Sequence, residues 1–327
     1  MIAGGRPINY LRISVTDRCN FRCLYCVPSK KFSVIAHDRI ARYEEILRIA
    51  RLASDMGITK VRITGGEPFV RKGIFSFLER LCTIDGLRDI SITTNGSQLN
   101  PQRIQTLREM GITRLNFSLD TLDPAGFKRI TGRDRFNNVW NAVLAAHEAG
   151  MEPIKINAVA LRGINDGEIP KLAGLTLKYP FHVRFIEYMP MGKSDVENGH
   201  QILTDEIREK IESAHGRLMP VPRDADDGPA KKFQLEGAPG VVGFITPISS
   251  HFCSECNRLR LTSRGTLRPC LLNDYEKDIL GPLRAGASDT DLAEIIRAAL
   301  VKKPKDHHLE AGKPDEIPVS HMTSIGG

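Results

Sequence analysis

The chain has 327 residues, 41% hydrophobic and 26% charged, with a formal net charge of +7. That length suits one large α/β barrel, or a barrel with an appendage, and the apolar share can fill a sizeable core. No apolar run approaches the roughly 18 residues of a membrane span, and Met1 to Pro7 is Gly-rich and polar rather than a signal peptide, so a soluble cytoplasmic protein is expected.

Short β-branched runs alternate with amphipathic helices from the start. Strands are expected over Tyr10–Val15, Lys60–Thr64, Asp89–Thr94, Arg114–Leu119, Ile154–Leu161 and His182–Tyr188. Helices fall between them: Tyr43–Met56 closed by Gly57, Ile74–Leu81, one entered at Asn100-Pro101 and stopped at Gly111, Val139–Ala149 ended by Gly150, and about Ile169 to Leu177. Six βα units imply a parallel sheet that curls toward a barrel, with function at the C-terminal strand ends. The expected architecture is an incomplete (β/α)6 TIM-like barrel over residues 1–200. A C-terminal α+β extension over 201–327 would carry the second group of cysteines. The extension reads as a helix over Thr204–Ser213, a polar loop over Arg223–Pro229 and strands near Val241–Ile245 and Arg258–Thr262. Helices over Tyr275–Leu283 and Asp289–Val301 and a charged tail from Pro304 follow. Such a tail, taken alone, reads as disordered.

Six of the seven cysteines form two triples, which in a chain without a secretion signal points to metal rather than disulfides. Cys82, in an apolar helical stretch, reads as a core residue. Cys19, Cys23 and Cys26 have the spacing C-x3-C-x2-C, with Tyr25 before the last. A cubane cluster takes four cysteine ligands, so three leave one iron open to a small molecule. Zinc fits this triple poorly, since no fourth Cys or His lies near it. Cys253, Cys256 and Cys270 form the second triple. From its chemistry alone, a cluster and a zinc site completed by His251 stand level. The basic residues form no long run, and composition alone leaves both nucleic acid and a pocket for a small polyanion open. Arg258 and Arg260 alternate on one strand and share a face, which without further context reads as an exposed basic edge.

The run Cys19-Asn20-Phe21-Arg22-Cys23-Leu24-Tyr25-Cys26 resembles the signature of the radical S-adenosylmethionine superfamily. The resemblance implies a [4Fe–4S] cluster whose open iron binds S-adenosylmethionine. It also implies cofactor contacts at Tyr25, at Gly66 of Gly65-Gly66-Glu67-Pro68, at Ser118 and at Met189.

The chain as a whole resembles the molybdenum cofactor biosynthesis protein A family, the GTP 3′,8-cyclases, from Gly5-Arg6-Pro7 to Gly326-Gly327. The segments that carry the resemblance include Leu11 to Asn20, Arg62 to Pro68, Thr93 to Gly96, Lys155 to Asn157 and Arg184 to Met189. The second triple and the Gly-Gly end complete it. It implies a radical lyase that converts GTP to 3′,8-cyclo-7,8-dihydro-GTP, the first step of molybdenum cofactor synthesis. On that footing the second triple holds a second [4Fe–4S] cluster facing guanine, and His251 is a bystander. Arg12, Arg62, Thr93, Lys155, Arg258, Leu259 and Arg260 are implied GTP contacts, with Arg184 and Lys60 beside them. Arg258, Arg260, Gly326 and Gly327 are implied in catalysis, the two glycines as a terminus that enters the site. The implied partners are GTP, an external electron donor of flavodoxin or ferredoxin type, and a downstream cyclic pyranopterin monophosphate synthase that receives the product. A homodimer is compatible; membrane and nucleic acid are not expected. Val27 departs from the family's frequent methionine, and the loops at Pro28–His37 and Arg223–Pro229 look variable.

Overall fold

The structure is a computed structural model that describes residues 1–3, 5–26, 34–192, 196, 198–222, 228–306 and 322–326. Val27 and Gly327 therefore lie outside the described residues, as do most of the loop after Cys26 and most of Arg223–Pro229.

A short antiparallel ribbon, β1 (Ile2–Ala3) and β2 (Arg6–Pro7), precedes the sheet. The βα series follows: β3 (Tyr10–Ser14), α1 (Tyr43–Asp55), β4 (Lys60–Thr64), α2 (Ile74–Cys82), β5 (Asp89–Thr94), α3 (Pro101–Glu109) and β6 (Arg114–Ser118). It continues through α4 (Pro124–Thr131), α5 (Phe136–Glu148), β7 (Lys155–Ala160), α6 (Ile169–Ala173), α7 (Leu175–Lys178) and β8 (His182–Glu187). Local chemistry sets the helix starts. Asn100 accepts from Arg103 N ahead of Pro101, and Asp123 accepts from Ala125 N and Gly126 N ahead of Pro124. The second of these helices, α4, is absent from the sequence reading; the Asp123-Pro124 start signal marks it.

The six strands β3 to β8 pair in parallel in chain order, the sheet of a partial barrel. The C-terminal part adds α8 (Thr204–His215), β9 (Met219–Pro220), β10 (Lys231–Gln234), β11 (Val241–Ile245) and β12 (Arg258–Leu261). After these come β13 (Thr266–Arg268), β14 (Lys277–Asp278), α9 (Leu280–Arg284), α10 (Asp289–Val301) and α11 (Met322–Ile325). These strands make no sheet of their own. β11 joins β8 in parallel at one edge, and β12 joins β3 in parallel at the other. Eight parallel strands thus stand side by side, and β11 and β12 are not paired with each other, so the barrel stays open.

Two expectations are corrected. The helix read over Tyr275–Leu283 is shorter and later, because Asp278 Oδ1 accepts from Leu280 N and Gly281 N and starts α9 only there. The end of the tail is ordered rather than frayed: Thr323, Ile325 and Gly326 are buried.

The sheet has two chemically opposite faces, as period-2 alternation dictates. Leu11, Ile13, Val61, Ile63, Ile92, Leu115, Phe117, Ile156, Val183 and Phe185 sit in the hydrophobic core. The alternate residues Arg12, Arg62, Thr93, Ser118, Lys155, Asn157 and Arg184 line the cavity enclosed by the open barrel.

Candidate active site between two cysteine triples

The cavity has a volume of about 640 Å³, and all six cysteines of the two triples line it. Among the described residues nine basic side chains also line it (Arg6, Arg12, Lys60, Arg62, Arg114, Lys155, Arg184, Arg258 and Arg260) against three carboxylates, Asp89, Glu187 and Glu255. Asp89 Oδ2 is 2.6 Å from Arg114 Nη1. Glu187 accepts from Thr204 N and Oγ1, from Ile248 N, and from Ser249 N and Oγ. What the cavity offers to a ligand is therefore strongly positive.

Strand register explains the concentration of charge. Arg260 of β12 is in register with Arg12 of β3, which is in register with Arg62 of β4. Three guanidiniums thus form one row across neighbouring strands. Burial, and then Arg260, hold Arg12 well below the usual arginine range, and burial with Arg258 brings Arg260 down to about 9. Across the sheet, burial with Arg184, Arg114 and Arg62 lowers Lys155 to about 6. Such a cluster is costly without an anion.

The first triple sits on the loop after β3. Cys19 Sγ accepts from Phe21 N at 3.4 Å and from Asn95 Nδ2 at 3.8 Å. Cys26 N donates to Cys23 O at 2.9 Å, which closes the turn between them. Two buried carboxylates brace this end. Glu67 accepts from Phe69 N, Thr94 Oγ1 and Asn95 N, and Asp120 Oδ2 accepts from Tyr25 OH at 2.7 Å. Burial pushes Cys19 up to about 11 and Cys26 up to about 12.

Gly66 lines the cavity, but its glycine requirement has a packing cause. A Cβ there would collide with the Arg18 backbone carbonyl. The Gly-Gly turn lets β4 close against the cysteine loop: Gly66 N donates to Thr16 O at 2.7 Å and Glu67 N to Arg18 O at 2.9 Å. Tyr25, Ser118 and Met189 line the same region.

The second triple is held by cations. The Arg258 guanidinium acts on Cys256 by charge and lies 5.1 Å over the Phe252 ring. Lys303 Nζ reaches Cys256 Sγ at 3.4 Å. Burial opposes ionisation of Cys256, yet Arg258 and Lys303 bring it down to about 6. Arg268, fully buried, donates to Cys270 O and Leu271 O and is bridged to Asp274 and Glu276. His251 does not line the cavity, and its Nδ1 is 3.3 Å from Asp306 Oδ1. Among the described residues no three Cys, His, Asp or Glu side chains are gathered for a single metal ion.

The residues fit the groups the sequence implies. Each triple offers three thiols and no fourth cysteine, the donor set of a cluster with one open iron. Thr93 Oγ1, Asn157 Oδ1 and Thr323 Oγ1 are buried without a hydrogen-bond partner and belong to residues that line the cavity, as expected where a polar ligand is to be received.

Every expected contact on strands and cysteine loops lines the cavity except Leu259. Its side chain is in the core, turned away by the alternation that aims Arg258 and Arg260 inward. Gly326 is docked rather than lining: its carbonyl accepts from Arg260 Nη1 at 2.9 Å. Met322 and Thr323 of α11 do line the cavity. The residues missed are supports. Arg6, Glu67, Asp120, Arg268 and Lys303 are given no role by the sequence, and their hydrogen-bond partners in the fold reveal one.

Comparisons with known proteins bear on the family and the fold. Residues 13–176 match the Radical SAM superfamily and residues 181–309 match Molybdenum Cofactor Synthesis C. The chain is similar to proteins named GTP 3′,8-cyclase. That of Moorella thermoacetica is 48% identical, with 98% of each chain covered. That of Desulforamulus reducens is 47% identical over 98% of each, and that of Heliobacterium modesticaldum 46% identical over 99% of each. Among solved structures, Streptococcus suis SuiB bound to S-adenosylmethionine has a TM-score of 0.60 at 18% identity, covering 93% of this chain and 73% of that one. anSMEcpe with bound AdoMet has a TM-score of 0.61 at 14% identity, covering 92% of this chain and 79% of that one. At those identities the likeness is one of fold. No helix among the described residues is long and apolar enough to cross a membrane.

Proposed function

The chain belongs to the Radical SAM superfamily and, within it, to the GTP 3′,8-cyclases, and from that membership we propose how its own residues carry out the cyclisation. The reaction joins C3′ of the GTP ribose to C8 of the guanine, giving 3′,8-cyclo-7,8-dihydro-GTP. Bound at the first triple, a [4Fe–4S] cluster and S-adenosylmethionine supply the radical chemistry that removes the 3′ hydrogen. Cys19, Cys23 and Cys26 hold that cluster, and Gly66, Ser118, Met189 and Tyr25 surround the cofactor. The Tyr25–Asp120 hydrogen bond fixes the aromatic ring.

Cys253, Cys256 and Cys270 hold the second cluster, beside the guanine. Arg12, Arg62 and Lys155 bind the triphosphate, with Arg184, Lys60 and Thr93 adjoining. Guanidinium forks match phosphate oxygens in pairs. Arg258 and Arg260 hold the nucleotide next to the second triple, and Leu259 contributes through its main chain alone. Arg260 also ties the tail to the sheet through Gly326, so nucleotide and tail meet at one side chain. Gly327, the next residue in the sequence, is proposed to act with Gly326. A reductant of flavodoxin or ferredoxin type delivers the electron, and the product passes to a cyclic pyranopterin monophosphate synthase.

The observation that carries this reading is the shared cavity: two cysteine triples and a majority of cations line one space of nucleotide size. Anaerobic, reduced protein incubated with S-adenosylmethionine and GTP is expected to form 5′-deoxyadenosine together with the cyclised nucleotide. Deoxyadenosine without cyclised product would refute the substrate while leaving the radical chemistry.

A further inference from the structure

Lys303 sits just past α10, within the sequence Lys302-Lys303-Pro304-Lys305, where a solvated lysine is the ordinary expectation. Instead it is only 7% exposed. An ammonium has three donors, and here all three are spent on the second cysteine triple. They reach Cys256 Sγ at 3.4 Å, Arg258 O at 2.8 Å and Pro269 O at 2.7 Å. Pro269 precedes Cys270, and Arg258 opens the strand that aims two arginines at the cavity.

The next two residues complete the set. Pro304 O accepts from Arg6 Nη2 at 2.7 Å, and Lys305 O from Arg6 Nη1 at 3.4 Å. The same Nη1 donates to Cys253 O. One short segment, 303–305, thus reaches all three cysteine positions: Cys256 by its sulfur, Cys270 through the preceding carbonyl and Cys253 through Arg6. The segments it joins lie up to about 300 residues apart in the chain, Arg6 and Lys305 being separated by 299 positions.

We propose that Lys303 and Arg6 form a clamp that sets the geometry of the second triple, with Lys303 a positioning residue that also tunes the group bound there. This rests on the reading that the triple holds a cluster. Hydrogen bonds and charge at ligand sulfurs set a cluster's reduction potential. A cation donating to Cys256 stabilises the reduced, more negative state and raises the potential of the second cluster relative to the first. Among the described residues Arg6 donates to backbone carbonyls alone, so its share is mechanical.

The test uses the full chain, reconstituted anaerobically. Iron per chain, release of iron to a chelator and the midpoint potential of each cluster by EPR titration are measured for wild type, Lys303→Met and Arg6→Lys. Wild type should carry about eight irons; about four would overturn the reading beneath the proposal. Lys303→Met should lose second-cluster iron about 10- to 100-fold faster and shift its potential negative, with the first cluster unchanged. Arg6→Lys keeps a charge but loses the fork. It should release second-cluster iron faster without the negative shift. Wild-type release and potential in Lys303→Met would overturn the clamp, as would equal changes in both clusters. Should Lys303→Met fail to fold, Arg6→Lys decides: unchanged release of second-cluster iron refutes the clamp.

Discussion

The two cysteine triples are alike in composition and opposite in surroundings. The first has an exposed cation, Arg22, on the Cys19 carbonyl at 2.7 Å, but the donors to its Cys19 sulfur are neutral and the buried carboxylates Glu67 and Asp120 stand beside it. The second is surrounded by Arg6, Arg258, Arg268 and Lys303. Burial raises Cys19 to about 11, while Arg258 and Lys303 bring Cys256, against its burial, to about 6. Two sites proposed to bind the same kind of group would thereby have different tasks. Sulfurs that accept from neutral donors suit a site that gives an electron away. Surroundings rich in positive charge suit a site that holds a polyanion and keeps its own charge.

Removing a ligand from either triple separates these tasks most sharply. Cys26→Ser should leave about four irons per chain and abolish both deoxyadenosine and cyclised product. Cys270→Ser should also leave about four irons and abolish cyclisation, while S-adenosylmethionine still binds and still perturbs the first cluster's spectrum. Loss of S-adenosylmethionine binding in Cys270→Ser would erase the division between the two ends.

Next in size is Arg260, a proposed nucleotide contact that also holds the tail through Gly326. A hydrogen bond to a charged group is worth about 1.5–3 kcal/mol, so Arg260→Ala should raise the KM for GTP about 10- to 150-fold. Binding of S-adenosylmethionine should change little. Equal losses for both ligands would place Arg260 outside the nucleotide's half of the cavity.

Gly326→Ala probes the tail alone. Gly326 has φ +80°, and a Cβ there would strike Thr64 Oγ1. A left-handed conformation costs a non-glycine residue about 1–2 kcal/mol. At least a fivefold loss of turnover is expected, on the order of that strain, with both clusters intact by iron analysis. Full activity in Gly326→Ala would show that the docked position is not the working one.

The smallest effect is a proton count. Burial and its neighbouring arginines hold Lys155 at about 6, so it is largely neutral between pH 7 and 9 in the ligand-free cavity. A triphosphate beside it favours the charged form and raises it again. Nucleotide binding at pH 8 should therefore take up a proton, and the uptake should fade below pH 6, where Lys155 is already charged. Calorimetry in buffers of different ionisation enthalpy reads this directly. Lys155→Met should bind without the uptake; the same uptake in that variant would assign the proton to another group.

Much of this arrangement is legible in the sequence, for definite reasons. The six parallel strands follow from β-branched runs with Gly and Asn-Pro punctuation, and the cysteine spacing is short enough to be read as one loop. The convergence of the second triple on the first is implied by the family resemblance but is not legible in the local pattern. It depends on β12 joining β3 while β11 joins β8, and strand order at the edges leaves no trace in local periodicity. Arg258 and Arg260 show the same limit. Their shared face is readable, but whether it meets solvent or a cavity depends on the neighbouring strand. Lys303 lies further still from view, since its partners are 34 to 47 residues away.

A paired EPR titration tests the division of labour most directly. S-adenosylmethionine and GTP are added separately to the reduced protein, and the signal of each cluster is followed. S-adenosylmethionine should perturb the signal lost in Cys26→Ser, and GTP should perturb the one lost in Cys270→Ser. GTP acting on the first signal, or on neither, would contradict the placement of a nucleotide between the two triples.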